Sequence, residues 1–177
     1  MLAFKDHLTL MARYNEVMNA KLVALVTPVP AEELLAPRGA FFGSVLGTMN
    51  HILVADLLWL RRMRHLPAAD VLSRIDVLPD ISHLTDLLYP DMAAYAAVRA
   101  ELDNLIRVFV DRLTDDDLSA ALSYVNTAGD PFVKTLGLVL DHVFNHQTHH
   151  RGQVTTLLSQ MGLDIGVTDL NAIIPSL

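Results

Sequence analysis

The chain of 177 residues contains no cysteine. This absence excludes disulfide bonds and thiolate metal sites, so any bound metal must take its ligands from histidine, aspartate, glutamate or water. The sequence also lacks an apolar run close to the roughly 20 residues that a membrane-spanning helix needs. Because 52% of the residues are nevertheless hydrophobic, we expect a single domain over residues 1–177 with an ample core and no membrane partner.

Positive charge is also scarce, since 13 lysines and arginines stand against 20 acidic residues and give a net charge of −7. A chain with this balance has no basic face for phosphate backbones, which argues against nucleic-acid binding. The stretch from Met1 to His7 places charged and polar residues where a signal peptide has its apolar segment. We therefore expect a cytoplasmic protein.

Histidine, in contrast, is concentrated in one place. Four of the eight histidines lie within nine residues, at His142, His146, His149 and His150. On a helix, His146 and His150 lie one above the other because they are four residues apart. Two imidazoles in this arrangement can bind one transition metal at about 2.0–2.1 Å, although a solvated or core helix face is the plainer interpretation of such a stretch.

Two imidazoles do not hold a metal firmly, so a third ligand is expected from elsewhere in the chain. His51 is the best candidate, because it lies in the middle of a predicted helix among apolar residues. A lone histidine in that position usually has a structural role. His51 is a predicted ligand only because the histidine cluster at 142–150 could supply the other two. The remaining histidines lie at predicted helix ends or in loops and are weaker candidates: His7, His65 and His83.

Apolar residues at alternating steps of three and four predict an all-α fold of four helices with long loops between them. The predicted helices are Leu2–Val26, Phe42–Met63, Leu84–Leu113 and Pro131–Met161. Ser44 is a predicted N-cap or first-turn residue, Pro90 either kinks or starts the third helix, and Asp130 caps the fourth. Gly162 is the predicted C-terminal cap of the fourth helix.

The segments between these helices carry weaker signals. Leu122–Asn126 predicts a short strand leading to a turn at Gly129, and the three aspartates from Asp115 predict a solvated turn. Gly137 and Gly152 inside the fourth helix predict the close approach of another helix. A loop is predicted for 28–39, and 65–82 is predicted to be a long loop, either without helix or with one short helical turn. The tail at 163–177 is predicted to pack across the bundle or a partner subunit.

Polar residues interrupt the apolar seams of two predicted helices. Asn15, with Tyr14 and Asn19 beside it, either bonds to a neighbouring helix or lines the mouth of a pocket. Asp56 follows His51 by one to two helical turns. It is predicted to be either a hydrogen-bond acceptor that orients a metal ligand or a fixed polar group of the core.

Three stretches together resemble a known family. They are Tyr14-Asn15 with Asn19; Ser44-Val-Leu-Gly-Thr-Met-Asn-His51 with Asp56 and Trp59; and His142-Val-Phe-Asn-His146-Gln-Thr-His-His150-Arg-Gly-Gln153. This pattern resembles the DinB family of damage-inducible proteins over nearly the whole chain. The resemblance implies a four-helix bundle in up-down-down-up order, commonly a homodimer, with a divalent nickel or zinc ion held by three histidines.

Carried over by position, the metal ligands implied by the resemblance are His51, His146 and His150. The resemblance does not make His142 or His149 a primary ligand, but His149 is three residues from His146 and could also face the site. We therefore place His142, His149, Asp56 and Asn15 around the metal or its pocket.

The resemblance also implies a function, because family members include transferases and isomerases that use low-molecular-weight thiols. We expect a metal-dependent hydrolase or thiol-dependent transferase acting on a small molecule, since three histidines leave a coordination position open. The alternative is a dimeric bundle that binds metal or a small ligand without turnover. Asp56, His149 and Asp141 remain equal candidates for a general base. Arg151 is expected in a surface ion pair, or else at an anionic substrate or a dimer partner.

Overall fold

A computed structural model describes residues 3–176 of the chain. The helices are α1 (Phe4–Val26), α2 (Ala31–Leu35), α3 (Val45–Met63), α4 (Met92–Arg112), α5 (Asp115–Ser119) and α6 (Leu136–Gln160), with 3₁₀ segments at Pro67–Val77 and Leu170–Ile173. The only sheet in this part of the chain is a hairpin of β1 (Ala121–Val125) and β2 (Pro131–Thr135). The predicted start of the first helix at Leu2 and the end of the tail at Leu177 lie outside the described residues.

The four long helices α1, α3, α4 and α6 pack around one hydrophobic core. Helix α1 packs against α4 and α6, and α3 packs against α6 and α4. Leu53, Phe109 and Phe144 are among the fully buried side chains between them. The predicted all-α fold is therefore confirmed, while the up-down-down-up order stays a prediction. No helix in the described part of the chain has the length and apolarity that crossing a membrane requires.

Side-chain caps fix where α3 and α4 begin. The hydroxyl of Ser44 accepts a hydrogen bond from the backbone N–H of Gly47 at 3.0 Å, so α3 begins at Val45 and Phe42 lies in the preceding turn. The carboxylate of Asp91 caps α4 in the same way. The predicted start of the third helix at Leu84 is wrong, because proline at position 90 disfavours helical backbone in the residue before it.

The predicted start of the last helix is also wrong. Pro131 begins β2 instead of α6, and β2 pairs antiparallel with β1, which confirms the predicted strand at 122–126 within one residue. The side-chain oxygen of Asn126 accepts a hydrogen bond from the backbone of Asp130 at 2.8 Å, and Gly129 takes a φ of 92° in the turn. The turn is therefore closed by residues that also suit a helix start, which is why the prediction failed.

Three connections contain helical segments, and of these the sequence predicted only a short helical turn within 65–82. A 3₁₀ segment fills 67–77, and its Leu72 and Ile75 are fully buried against α3 and α4. Short helices occupy 31–35 and 115–119. In the 67–77 segment Ala69, Leu72 and Ile75 are buried at steps of three, the period of a 3₁₀ helix, and the other two helices have only five residues each, which is too short to show a period.

The end of α6 and the tail follow the prediction. Gly162 has a φ of 77° just after α6, and the tail returns across the bundle, where the hydroxyl of Tyr14 donates to the carbonyl of Thr168 at 2.6 Å. Gly137 allows close approach, since an added Cβ would lie 2.7 Å from the ring of Phe4. The same prediction is wrong for Gly152, where a Cβ would meet nothing within 4 Å.

Candidate metal centre

Helices α3 and α6 bring three imidazoles together at one face of their contact. Nε2 of His51 lies 3.3 Å from Nε2 of His146. The ring of His150 is 4.5 Å from that of His51 and 4.3 Å from that of His146, measured between centroids. One nitrogen from each residue lies within 4.8 Å of the other two. The predicted convergence of the three side chains is present, and the group can hold a metal ion.

Hydrogen bonds at the outer nitrogens of His51 and His150 fix the tautomer of each ring. Nδ1 of His51 donates to the carbonyl of Leu84 at 2.9 Å, and Nδ1 of His150 donates to the side-chain oxygen of Gln153 at 2.8 Å. Because a carbonyl oxygen only accepts, the proton of each neutral ring stays on Nδ1. The lone pair of each Nε2 is therefore free for a cation, which is the usual arrangement around metal-binding histidines.

The spacing of the inner nitrogens fits a bound cation. Two nitrogens that are each about 2.0–2.1 Å from a tetrahedral cation lie about 3.3–3.4 Å apart. The separation between His51 and His146 is 3.3 Å. A proton on Nε2 of His146, donated to Nε2 of His51, would account for this contact without a metal, and a divalent cation would replace that proton. The donor set, the tautomers and the distance thus all fit a divalent metal.

Burial keeps the three rings neutral. It lowers the pKa of His51 and of His150 below the usual histidine value. At His146, burial and the neighbouring charges of His150 and His51 lower the pKa to about 3. Metal binding requires unprotonated imidazole, so the environment selects the form that can act as a ligand.

Two further groups shape the site and were not found from the sequence. The ring of Phe42 stacks on that of His51 at 3.7 Å and meets the ring of His150 edge-on at 5.5 Å. Phe42 was expected inside a helix, where no pattern connects it to a histidine nine residues later. The Leu84 contact uses a backbone carbonyl, and such an acceptor has no sequence signal.

The other predicted histidines lie beside the group or away from it. The ring of His142 is 6.0 Å from that of His146, and the ring of His149 is 4.8 Å from that of His150. Neither belongs to the set of three converging nitrogens. His7 lies away from the group and bonds Asp141 at 3.2 Å. Asp141, one of the three residues considered as a general base, is therefore paired with His7.

Asp56 belongs to a buried polar cluster between the four long helices. It lies 2.6 Å from the guanidinium of Arg99, which also bonds Asp103 at 2.9 Å, and the amide of Gln147 donates to Asp56. Among the described residues, Asp56 bonds Arg99 and Gln147 and not His51. Of the two predicted roles, the structure therefore favours a fixed polar group of the core over an acceptor that orients a metal ligand. Burial raises the pKa of Asp103 to about 6 against the opposing effect of Arg99.

Arg151 is the second cation of the same cluster, and its predicted surface ion pair is wrong. Its residue is 5% exposed. The guanidinium donates to the side-chain oxygen of Asn15, to that of Gln147 at 3.0 Å and to the hydroxyl of Thr148 at 3.2 Å. Asn15 therefore bonds to a neighbouring helix, and we call the cluster Asp56, Arg99, Asp103 and Arg151, with Asn15, Asn19 and Gln147, the buried ion network.

Comparison with known proteins agrees with the resemblance seen in the sequence. The family model described as DinB family matches residues 4–174. The chain is similar to Protein DinB of Bacillus subtilis (strain 168), with 22% identity over 161 residues that cover 88% of this chain and 87% of that protein. No solved structure gives a significant match. Since the family model covers nearly the whole chain, the chain belongs to the DinB family.

Proposed function

We propose that His51, His146 and His150 bind one divalent metal ion, nickel or zinc. The observation that carries this proposal is the convergence of three imidazole nitrogens within 4.8 Å, together with carbonyl partners on the outer nitrogens of His51 and His150. Imidazole suits both metals, so the donor set does not choose between them. Family membership supports the same assignment.

We further propose that the centre is catalytic, as a thiol-dependent transferase or a hydrolase. Three protein ligands leave a coordination position open, and a divalent ion there supplies Lewis-acid chemistry that lowers the pKa of a water or thiol. In transfer, a carbon–sulfur bond forms while the leaving group departs with the thiol proton. In hydrolysis, water adds its hydroxyl to one fragment and its proton to the other.

The protein's own groups would contribute positioning. Leu84 and Gln153 hold two rings in orientation through their outer nitrogens, and Phe42 covers one face of His51 and excludes water from it. His142 and His149 are the exposed histidines that flank the group on α6. Because they lie beside the ligand rings, they are the residues we assign to taking up or delivering a proton during the reaction.

The test starts from protein purified without an affinity tag. Elemental analysis should find about one nickel or zinc per chain, and His146→Ala should lose the metal while its circular dichroism stays unchanged. His65→Ala is the control, because that exposed histidine lies outside the group. Thiol transfer and ester hydrolysis are then measured on all three proteins. Full metal content in His146→Ala would refute the assigned site.

The alternative is a metal-binding bundle without turnover. The stacking of Phe42 on His51 at 3.7 Å favours this alternative, because the phenyl ring covers one side of the histidine group against reactants. The two functions separate in the same assays. Metal bound at one per chain, with no reaction above the level of His146→Ala, would establish the non-catalytic function.

We also propose the arrangement of the whole chain: a single domain in which α1 and α6 run one way, α3 and α4 run the other, and two copies form a dimer. Contacts support the directions, since Phe4 lies near Gly137 and Asn15 bonds Arg151, whereas Trp59 and His51 meet α6 in reverse order, at His142 and His146. Family membership alone supports the dimer, and the molar mass in solution tests it.

A further inference from the structure

A second feature lies one helical turn from the histidine group. A cavity of about 430 Å³ opens between the β1–β2 hairpin, α3 and α6, and its lining includes Trp59, Tyr124, Lys134 and His142. This volume is within the range of about 300–1,000 Å³ that is usual for small-molecule sites. The cavity is therefore large enough for a compact organic molecule.

Aromatic rings form much of its wall. The indole of Trp59 and the ring of Tyr124 meet edge-on at 5.1 Å, and the imidazole of His142 meets the indole edge-on at 5.5 Å. Arg62 lies over the rings of Trp59 and Tyr124, and Phe132 stacks on Tyr124, so a flat guest would meet the ring surface that these neighbours leave uncovered. Such aromatic contacts add to simple burial. The wall thus favours an aromatic or unsaturated body.

Two cations lie near this aromatic wall, and of these Lys134 lines the cavity. The guanidinium carbon of Arg62 is 4.6 Å from the centroid of Trp59 and 5.2 Å from that of Tyr124, and the ammonium of Lys134 is 5.3 Å from the ring of Phe132. Neither cation forms an ion pair with a carboxylate among the residues that the structure describes. In a chain of net charge −7, this mouth attracts anions.

His142 connects the cavity to the histidine group. Its ring lies 5.5 Å from that of Trp59 on one side and 6.0 Å from that of His146 on the other. The two histidines are four residues apart on α6, about 6 Å along the helix axis. A molecule with its body in the cavity can therefore extend past His142 to the group.

We propose that this cavity binds the organic substrate of the histidine centre and that the substrate is a small carboxylate with a flat, aromatic or unsaturated body. The body packs against Trp59 and Tyr124, and the carboxylate faces Lys134, while Arg62 adds positive charge beside the same two rings. This assignment deepens the proposed function and rests on it. It names the substrate class and makes Lys134 a specificity-determining residue.

Binding can be followed directly, because Trp59 is the only tryptophan of the chain. The probes are phenylacetate, its neutral analogue phenylacetamide, and acetate, added to the purified protein with and without its metal. Phenylacetate should change the Trp59 emission saturably. Phenylacetamide should bind about tenfold more weakly because it lacks the charge, and acetate should leave the emission unchanged because it lacks the ring.

Two surface substitutions test the charge preference without touching the core. Lys134→Gln should weaken phenylacetate binding about fivefold, and Leu138→Glu, at a lining residue that is 64% exposed, should weaken it about tenfold or more. Lys134→Gln should leave phenylacetamide binding unchanged, whereas Leu138→Glu also removes an apolar lining side chain and should weaken phenylacetamide binding less than phenylacetate binding. Lys21→Gln is the matched control, because Lys21 bonds the tail at Val167 and does not line the cavity.

Equal affinities for phenylacetate and phenylacetamide, or equal effects of Lys134→Gln and Lys21→Gln, would overturn the assignment, as would an unchanged Trp59 emission. The proposed function can fail separately. If His146→Ala lacks metal and still binds phenylacetate with the same charge dependence, the cavity is a carboxylate site in its own right. If metal binds to the wild-type protein and the charge dependence is absent, the metal centre stands and this assignment falls.

Discussion

The histidine group and the buried ion network use the same helices in opposite ways. In the network, the carboxylates of Asp56 and Asp103 and the guanidinium of Arg99 bond one another at 2.6 and 2.9 Å, and all three side chains are at most 3% exposed. In the histidine group, three rings of the same chemical kind each point one nitrogen at the other two, and His51 and His146 are within hydrogen-bond distance at 3.3 Å. Groups of opposite charge that satisfy each other hold a fold together, whereas several imidazole nitrogens that converge on one point indicate a cation site.

The contrast is sharpest along α6. Gln147 and Arg151 follow His146 and His150 by one residue each, so two stripes of spacing four run side by side on one helix. The inner stripe bonds Asp56 and Asn15, and the outer stripe faces His51. One helix thus serves both regions, and substitutions in the two stripes should separate stability from metal binding.

The largest effect is expected in the network. Arg99→Met leaves the carboxylates of Asp56 and Asp103 buried without their cation, and it should lower the free energy of unfolding by about 3–5 kcal/mol in urea denaturation. The control is Arg74→Met, which removes an ion pair with Glu101 at a side chain that is 73% exposed and should cost about 1 kcal/mol or less. Similar costs for both variants would show that the network does not stabilise the fold.

The histidine group should affect stability only through its metal. Nickel or zinc at about 100 times its dissociation constant should stabilise the metal-free wild-type protein by about 2.7 kcal/mol, a rise of about 5–10 °C in melting temperature. The rise should vanish in His146→Ala and persist in His65→Ala. A metal-dependent rise in His146→Ala would move the site elsewhere in the molecule.

A smaller effect, on metal affinity, is expected at Gln153, whose side-chain oxygen accepts the hydrogen bond that orients His150. Gln153→Ala removes the oxygen that holds Nδ1 of His150 at 2.8 Å, and metal affinity should fall about 10- to 100-fold in competition with a chelator. Gln160→Ala, an exposed glutamine at the end of the same helix, is the matched control and should leave the affinity unchanged. Equal affinities in the two variants would mean that Gln153 does not position the ring.

The smallest effect is a pH dependence of the network. Burial raises the pKa of Asp103 to about 6 in the folded protein, so the folded state holds a proton that the unfolded state, near 3.8, has released. The contribution of Asp103 to stability is therefore complete below pH 3.8 and is lost as the pH rises through about 6. From pH 5 to 6 the loss should be about 1 kcal/mol.

The comparison of wild type with Asp103→Asn isolates this contribution. The asparagine keeps the shape and cannot titrate, and the histidines are the same in both proteins, so their own pH dependence cancels in the difference. Urea denaturation at several pH values gives both profiles. Parallel profiles between pH 5 and 6 would show that Asp103 stays ionised beside Arg99 throughout that range.

Sequence patterns predicted the parts of this protein whose signal is local. The spacing of His146 and His150, the apolar periods of the long helices, the cap at Ser44 and the stop at Gly162 each depend on residues within one or two turns. The motifs also allowed His51 to be proposed as the third ligand and the DinB family to be recognised. The family match confirms the family. The start of α6 failed because Asp130 and Pro131 suit a hairpin as well as a helix, and pairing with β1 decides between them.

The sequence by itself determined an all-α protein with two imidazoles stacked on one helix and a third histidine available to join them. Only the tertiary structure decided that Leu84 and Gln153 hold the outer nitrogens, that Phe42 covers the site, and that Arg151 is buried among amides rather than paired at the surface. The physical reason is range. Helical spacing is set by neighbours along the chain, whereas the partner of a polar group is set by which helices pack together, and that depends on the whole core.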